Sequence, residues 1–130
     1  MSDATFRVVV ADDDADIRAL VAIAMRRAGI ELVADVATGD AALAAIREHQ
    51  PDIVILDVSM PGMTGLEVTA EIRADESLTG IRIFLLSAGV TEAAIQAGKD
   101  AGADEYLIKP FSPRELAVRI SDAIKQWGAE

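Results

Sequence analysis

A short apolar run between two prolines constrains the fold of this 130-residue chain more than any other feature. Residues 53–56 read Ile-Val-Ile-Leu, with Pro51 before them and Pro61 shortly after. The run is too short for a buried helix and is rich in β-branched residues, which is typical of a central strand in a parallel sheet. It ends on a carboxylate, Asp57, at the strand end where open α/β sheets bind ligands. Asp57 is therefore a candidate for chemistry, although an aspartate that only begins a turn is an alternative explanation.

Strand and helix patterns alternate five times along the chain, with short connections between them. This alternation predicts one α/β domain over residues 1–130, with helices on both faces of a parallel sheet. The expected fold is a flavodoxin-like three-layer sandwich with strand order 2-1-3-4-5 and five helices. Strands are predicted at residues 6–11, 31–36, 52–57, 81–86 and 105–108, and helices after the N-caps Asp14, Thr38, Thr64, Thr91 and Ser112.

Composition and charge exclude several classes of function. The net charge of −10 disfavours direct binding to nucleic acid, and the absence of cysteine excludes disulfides and thiolate metal sites. No apolar run has the length of a membrane span, and residues 1–5 lack the features of a signal peptide. We therefore expect a cytoplasmic protein that binds neither nucleic acid nor membrane.

Polar side chains follow four of the five predicted strands. Asp12 and Asp13 follow the first strand, Asp57 the third, Ser87 the fourth and Lys109 the fifth. Because parallel strands place their carboxyl ends at one edge, we expect these side chains to converge. Crowded carboxylates repel one another unless a cation joins them, and an all-oxygen ligand set suits Mg²⁺. With a lysine and a hydroxyl for phosphoryl oxygens, the set favours phosphoryl transfer to the Asp57 carboxylate.

The same residues resemble the receiver domain of two-component response regulators, in its stand-alone chemotaxis-type layout. The resemblance extends from Arg7 to about Trp127. The spaced set is specific to that family, although none of its motifs is unique alone. The matching segments are Asp12-Asp13, Asp57 with residues 60–65, Ser87-Ala88, and Tyr106 with residues 109–111.

The resemblance implies a phospho-acceptor and a metal site. Asp57 would receive a phosphoryl group from a histidine kinase or a histidine phosphotransfer protein. Asp13, Asp57 and the backbone carbonyl of Ser59 would bind Mg²⁺ directly, and Asp12 would act largely through water.

The resemblance also implies a conformational switch. Lys109 and Ser87 would bind the phosphoryl group, with a cis peptide bond before Pro110 aiming the lysine at the site. Ser87 would move toward the phosphoryl group and draw Tyr106 inward. This movement would remodel the face formed by the fourth helix, the fifth strand and the fifth helix, to which a partner binds.

Two other functions are compatible with the same fold. A Mg²⁺-dependent aspartyl-phosphate phosphohydrolase typically has a second acid two residues after its nucleophile, where this chain has Ser59. A flavodoxin-like module would bind FMN phosphate at the loop after the first strand, which here is acidic. We therefore expect a signalling switch that catalyses only its own phosphorylation and dephosphorylation.

The output of such a switch is open at this point. The downstream partner is either an effector protein or an output domain that lies outside this chain. The identity of the kinase, the lifetime of the phosphoryl group and dimerisation through the switching face are open as well.

Overall fold

Five parallel strands and five α-helices alternate along residues 6–78, 80–89 and 91–128, which the computed structural model describes. The sheet has the strand order 2-1-3-4-5, so the predicted fold class is confirmed. The strands are β1 (Arg7–Ala11), β2 (Glu31–Val36), β3 (Ile53–Asp57), β4 (Arg82–Ser87) and β5 (Glu105–Ile108). The helices are α1 (Ala15–Ala28), α2 (Gly39–His49), α3 (Gly65–Ala74), α4 (Glu92–Ala101) and α5 (Pro113–Gly128).

Both faces of the sheet are covered by helices. Successive strand residues point to opposite faces, so the apolar run of β3 contributes Ile53 and Ile55 to one core and Val54 and Leu56 to the other. The first core lies against α1 and α5, and the second lies against α2 and α3. Two-sided burial explains why β1, β3 and β4 read as continuous apolar runs, because neither face of these strands meets water.

Capping residues begin the helices where the sequence predicts. Asp14, Thr38 and Thr91 each accept a backbone hydrogen bond from the first turn of their helices. Thr64 forms the complete capping box with Glu67, in which each side chain accepts from the other residue's backbone N–H. These caps satisfy backbone N–H groups that the first turn of each helix leaves without an intrahelical partner.

The strand limits differ slightly from the prediction. β1 and β3 each begin one residue later than expected. β4 is shifted by one residue, because the N–H of Ile81 donates to the carbonyl of Leu78 instead of pairing in the sheet. The expected loop after α3 contains a short 3₁₀ turn at Glu76–Leu78. Leu78 is buried in the second core, which holds this turn against the sheet.

Trp127 packs against the first core. Its ring lies edge-on to Phe84 with centroids 6.0 Å apart, and the Arg82 guanidinium lies 5.0 Å above it. None of the described helices combines the length and the apolar character that crossing a membrane requires.

Candidate functional site

Asp57 is the last residue of the central strand, and only 4% of it is exposed. The loop after it is tied to the neighbouring strand, since the N–H of Val58 donates to the Leu86 carbonyl at 2.9 Å. The first residue of α3, Gly65, packs so closely that a Cβ there would overlap the Asp57 carbonyl oxygen. Strand, loop and helix therefore fix the Asp57 carboxylate at the carboxyl edge of the sheet.

The loop after β1 brings a second buried carboxylate to this edge. Asp12 is fully buried, and its N–H donates to the Val36 carbonyl at 3.1 Å. Its Oδ1 accepts from the N–H of Asp14 at 2.9 Å, so the side chain is part of the turn that begins α1. Asp13, between them, is exposed to solvent.

Lys109 joins the two buried carboxylates. Its Nζ lies 2.9 Å from Asp12 Oδ2 and 3.1 Å from Asp57 Oδ1. Its backbone N–H donates to the Ser87 carbonyl at 2.8 Å, which continues the pairing of β4 with β5. The peptide bond between Lys109 and Pro110 is cis, as predicted.

Burial and charge shift the pKa values of this cluster. Burial raises the pKa of the Asp57 carboxyl above its ordinary 3.8, and repulsion from Asp12 adds to the increase. Contact with Lys109 lowers the same pKa but does not offset the increase. Burial lowers the pKa of the Lys109 ammonium, but its contacts with Asp12 and Asp57 outweigh burial and raise that pKa overall. Lys109 is therefore a firmly protonated cation.

The carboxylates of Asp12, Asp13 and Asp57 fit a divalent cation. One oxygen from each lies within 4.8 Å of the other two. The buried Asp12 Oδ2 touches the Lys109 ammonium but has no hydrogen-bond donor in favourable geometry within the described chain. Hard oxygen ligands of this kind suit Mg²⁺. The N–H of Ser59 donates to Asp57 Oδ1 at 3.3 Å, while a metal contact by the Ser59 carbonyl stays a prediction.

The two predicted switch residues meet at Gly89. Ser87 Oγ accepts from the Gly89 N–H at 3.0 Å, and the Tyr106 hydroxyl donates to the Gly89 carbonyl at 3.1 Å. Ser87 therefore lies at the same edge as the acidic cluster, with its hydroxyl bonded to Gly89. Gly98 of α4 leaves space for the Tyr106 ring, since a Cβ there would lie 3.2 Å from a ring carbon.

Arg18 is a site residue that the sequence interpretation missed. Its NH1 donates to the Asp12 carbonyl at 2.8 Å, and its Nε donates to Asp35 Oδ1 at 3.2 Å. The guanidinium therefore ties α1 and β2 to the loop that positions the buried carboxylate. The spacing of Arg18, four residues after the helix cap at Asp14, was the only sequence signal for this role.

A family model described as the response regulator receiver domain matches residues 8–121, which include every residue of this edge. The chain belongs to this receiver family. It is 38% identical over 120 residues to the DNA-binding response regulator MtrA of Mycobacterium tuberculosis, covering 92% of this chain and 51% of that one. It is 36% identical over 121 residues to the phosphate regulon regulatory protein PhoB of Pseudomonas aeruginosa, covering 93% and 52%. This receiver thus spans about half the length of these curated relatives.

Solved receivers have the same architecture. The receiver domain of the putative response regulator NarL from Mycobacterium tuberculosis matches with a TM-score of 0.85 at 34% identity, covering 93% of this chain and 97% of that one. The chemotaxis response regulator CheY4 of Vibrio cholerae matches with a TM-score of 0.85 at 32% identity, covering 92% and 98%. Membership of the receiver family favours a signalling role over the phosphohydrolase and flavodoxin-like alternatives.

Proposed function

We propose that Asp57 accepts a phosphoryl group from a phosphohistidine on a histidine kinase or a histidine phosphotransfer protein. The observation that supports this role is the position of its buried carboxylate, 3.1 Å from the Lys109 ammonium and beside the carboxylates of Asp12 and Asp13. A buried carboxylate with a raised pKa and charged neighbours at this edge of the sheet is typical of a reactive site. These features support a reactive role for Asp57 over a purely structural role at the start of the turn.

The transfer forms one bond and breaks one bond. A carboxylate oxygen of Asp57 attacks phosphorus in line, while the phosphorus–nitrogen bond of the donor breaks and the imidazole leaves. Asp12, Asp13, Asp57 and the carbonyl of Ser59 would hold Mg²⁺, which when bound neutralises charge on the phosphoryl oxygens. Lys109 supplies a second positive charge at the same oxygens.

The same residues would release the group again by hydrolysis of the aspartyl phosphate. The domain therefore acts on no external substrate, and catalysis is limited to its own phosphorylation and dephosphorylation. Residues 1–130 would form this one receiver unit. The proposed location is the cytoplasm, where the donor would present its phosphohistidine.

Phosphorylation would be read at the face formed by α4, β5 and α5. Ser87 would exchange its bond with the Gly89 N–H for one with a phosphoryl oxygen, which frees the segment that holds the Tyr106 hydroxyl. Tyr106 also borders a groove of about 250 Å³ on this face. A downstream effector protein, an output domain outside this chain or a second receiver would bind there; direct contact with nucleic acid is not part of the proposal.

Intact mass spectrometry after incubation with acetyl phosphate tests this function. We expect one added phosphoryl group that requires Mg²⁺, is lost on standing and is absent in the presence of EDTA. Asp57→Asn should prevent the addition, because an amide oxygen is a poor nucleophile. Asp52→Asn, which removes a carboxylate at the opposite end of the same strand, is the matched control and should be labelled like the wild type.

Two results would contradict the assignment. Labelling of Asp57→Asn at the wild-type level would place the acceptor elsewhere. Equal labelling of the wild type in Mg²⁺ and in EDTA would exclude the proposed metal dependence. An unlabelled wild type would require the same experiment with a phosphorylated histidine phosphotransfer protein as donor.

A further inference from the structure

In the described part of the chain, most lysines and arginines that form no ion pair or side-chain hydrogen bond lie on two helices. The chain has 12 lysines and arginines in total, and seven of them form ion pairs or side-chain hydrogen bonds. Within residues 6–78, 80–89 and 91–128, the other five form neither. Four of them are Arg26 and Arg27 at the end of α1 and Arg114 and Lys125 on α5, and all four are exposed. The fifth is Lys99 on α4.

Three of these cations line a groove of about 360 Å³ between α1 and α5, here called the α1–α5 groove. Arg27 comes from α1 and Arg114 and Lys125 from α5, and Asp122 is the single acid among the described residues of the lining. The groove is therefore cationic in a chain of net charge −10.

Exposed apolar side chains accompany these charges. Val118, which also lines the groove, is 52% exposed, and Ile23, one helical turn before Arg27, is 43% exposed. They are two of the three large hydrophobic residues that are exposed in the described part of the chain. Exposed apolar side chains close to arginines are typical of a protein-binding surface.

We propose that the α1–α5 groove docks an acidic segment of a partner protein. Apolar side chains of that segment would cover Val118 and Ile23, and its carboxylates would pair with Arg27, Arg114 and Lys125. Because most of this receiver repels anions, the groove is the face at which an acidic segment approaches with favourable electrostatics.

Other occupants fit the charges less well. A symmetric dimer through this face would set the same cations against each other, since a two-fold interface pairs a surface with itself. Duplex DNA and an anionic membrane are extended polyanions that would also meet the acidic remainder of the chain. A short acidic segment meets only the groove.

This inference goes beyond the proposed phosphorylation and does not depend on it. Among the residues that the structure describes, none of those lining the α1–α5 groove belongs to the acidic cluster or lines the groove beside Tyr106. Binding is therefore measured on the unphosphorylated protein and on Asp57→Asn. A failure of docking in both proteins with normal Asp57 labelling would reject this inference alone.

The test is an NMR titration of the ¹⁵N-labelled full chain with a synthetic amphipathic helical peptide. The peptide has leucines along one face and glutamates on both flanks; a second peptide has lysine at every glutamate position. We expect saturable shifts of amides in α1 and α5 around the groove with the acidic peptide alone. Arg27→Glu should weaken its binding about tenfold, since it reverses a charge at the contact.

Lys99→Glu is the matched control, because it makes the same charge change at an exposed cation that has no ion pair within the described chain. Lys99 lines the groove beside Tyr106 and not the α1–α5 groove, so the pair of variants also tells the two grooves apart. We expect Lys99→Glu to leave peptide affinity within about twofold, as for long-range charge effects screened by salt. Arg27→Gln, a milder change, keeps the test valid if Arg27→Glu unfolds, which circular dichroism reports.

Several outcomes would overturn the proposal. They are no saturable shift at the groove, equal binding of the lysine peptide, and an equal loss of affinity in Lys99→Glu. Groove-dependent binding of anionic phospholipid vesicles or duplex DNA in place of the acidic peptide would assign the face to a different partner. Concentration-dependent dimerisation that Arg27→Glu strengthens would assign it to a second copy.

Discussion

The two edges of the sheet each hold a cluster of charged side chains, and the clusters are bonded in different ways. At the amino edge, Arg73 donates to the carbonyls of Gly102 at 2.9 Å and Ile81 at 2.7 Å. It also donates to Asp104 Oδ2 at 2.8 Å, and that oxygen accepts in addition from the N–H of Ile83 at 2.8 Å. One guanidinium thus joins α3 to the starts of β4 and β5 through hydrogen bonds of good length.

At the carboxyl edge, the charges of Asp12, Asp57 and Lys109 are close together but are less well satisfied. Asp12 Oδ2 lacks a well-oriented donor, and burial with Asp12 beside it raises the pKa of Asp57. A satisfied network stabilises a fold, whereas a buried carboxylate without full pairing lowers stability. The comparison indicates that the amino edge serves the fold, and that the carboxyl edge retains capacity for a cation and a phosphoryl group.

The largest expected effect is at the amino edge. Arg73→Ala removes the hydrogen bonds to Gly102, Ile81 and Asp104 and leaves Asp104 without its closest described cation, and we expect it to lower the free energy of unfolding by about 3 kcal/mol. Arg47→Ala is the matched control, because its ion pairs with Glu71 and Asp75 are both 3.8 Å long and half-exposed, and are expected to contribute less than about 0.5 kcal/mol. Urea denaturation followed by circular dichroism measures both.

Equal losses in the two variants would show that the amino edge is no better bonded than the surface. The distinction drawn between the two edges would then be wrong.

Lys109→Met should give the next largest loss. It leaves the carboxylates of Asp12 and Asp57 facing each other without their cation, which we expect to lower the free energy of unfolding by about 2 kcal/mol in EDTA. Added Mg²⁺ should recover part of this loss, because a metal that binds only the folded state stabilises it. Urea denaturation with and without Mg²⁺ measures the difference; a loss that Mg²⁺ leaves unchanged would argue against a metal site beside Lys109.

Asp57→Asn should have the opposite sign in metal-free buffer. Because burial and Asp12 raise the pKa of Asp57 above 3.8, the folded state binds more protons than the unfolded state between 3.8 and the raised pKa. Wild-type stability therefore gains as the pH falls through that window, and the cost of the ionised carboxylate is fully present only above the raised pKa. The charged Asp57 side chain serves the proposed function at a cost in stability. Its replacement by asparagine should therefore stabilise the fold by about 1 kcal/mol at pH 7.

The pH dependence is the control for this gain. The advantage of Asp57→Asn over the wild type should shrink as the pH is lowered toward 3.8, in thermal or urea denaturation with EDTA. Mg²⁺ at about 100 times its dissociation constant should stabilise the wild type by about 2.7 kcal/mol and reverse the order of the two proteins. An Asp57→Asn protein that is less stable than the wild type at pH 7 in EDTA would contradict the unsatisfied character of the site.

The fold and the residues of the acidic site were predictable because both follow from position along strands. The apolar run before Asp57 marks a buried strand, and parallel strands bring Asp12, Ser87 and Lys109 to the same edge without any knowledge of side-chain direction. The capping box at Thr64 likewise depends only on local spacing.

The contacts of long side chains were not predictable in the same way. Helical spacing places Arg18 only on a polar face of α1, yet its side chain bonds to Asp35 on β2 and to the Asp12 carbonyl. Arg73 reaches Asp104 over 31 positions of sequence. Helical periodicity predicts the face of the helix on which an arginine lies. It does not predict the partner of the guanidinium, because the side chain has several rotatable bonds.

Arg18 therefore provides the smallest effect and the sharpest test of how the acidic edge is organised. Arg18→Gln removes the 2.8 Å bond to the Asp12 carbonyl, so the loop that presents Asp12 and Asp13 loses order that Mg²⁺ binding must then restore. We expect the affinity for Mg²⁺ to fall about threefold. This is less than the loss of about tenfold that is typical when a residue hydrogen-bonded to the side chain of a metal ligand is removed, because Arg18 contacts the backbone carbonyl of Asp12. Arg26→Gln, on the same helix but exposed, should leave the affinity unchanged. Calorimetric titration of Mg²⁺ into both variants measures the difference, and equal affinities would mean that β1 and α1 hold the carboxylates without help from Arg18.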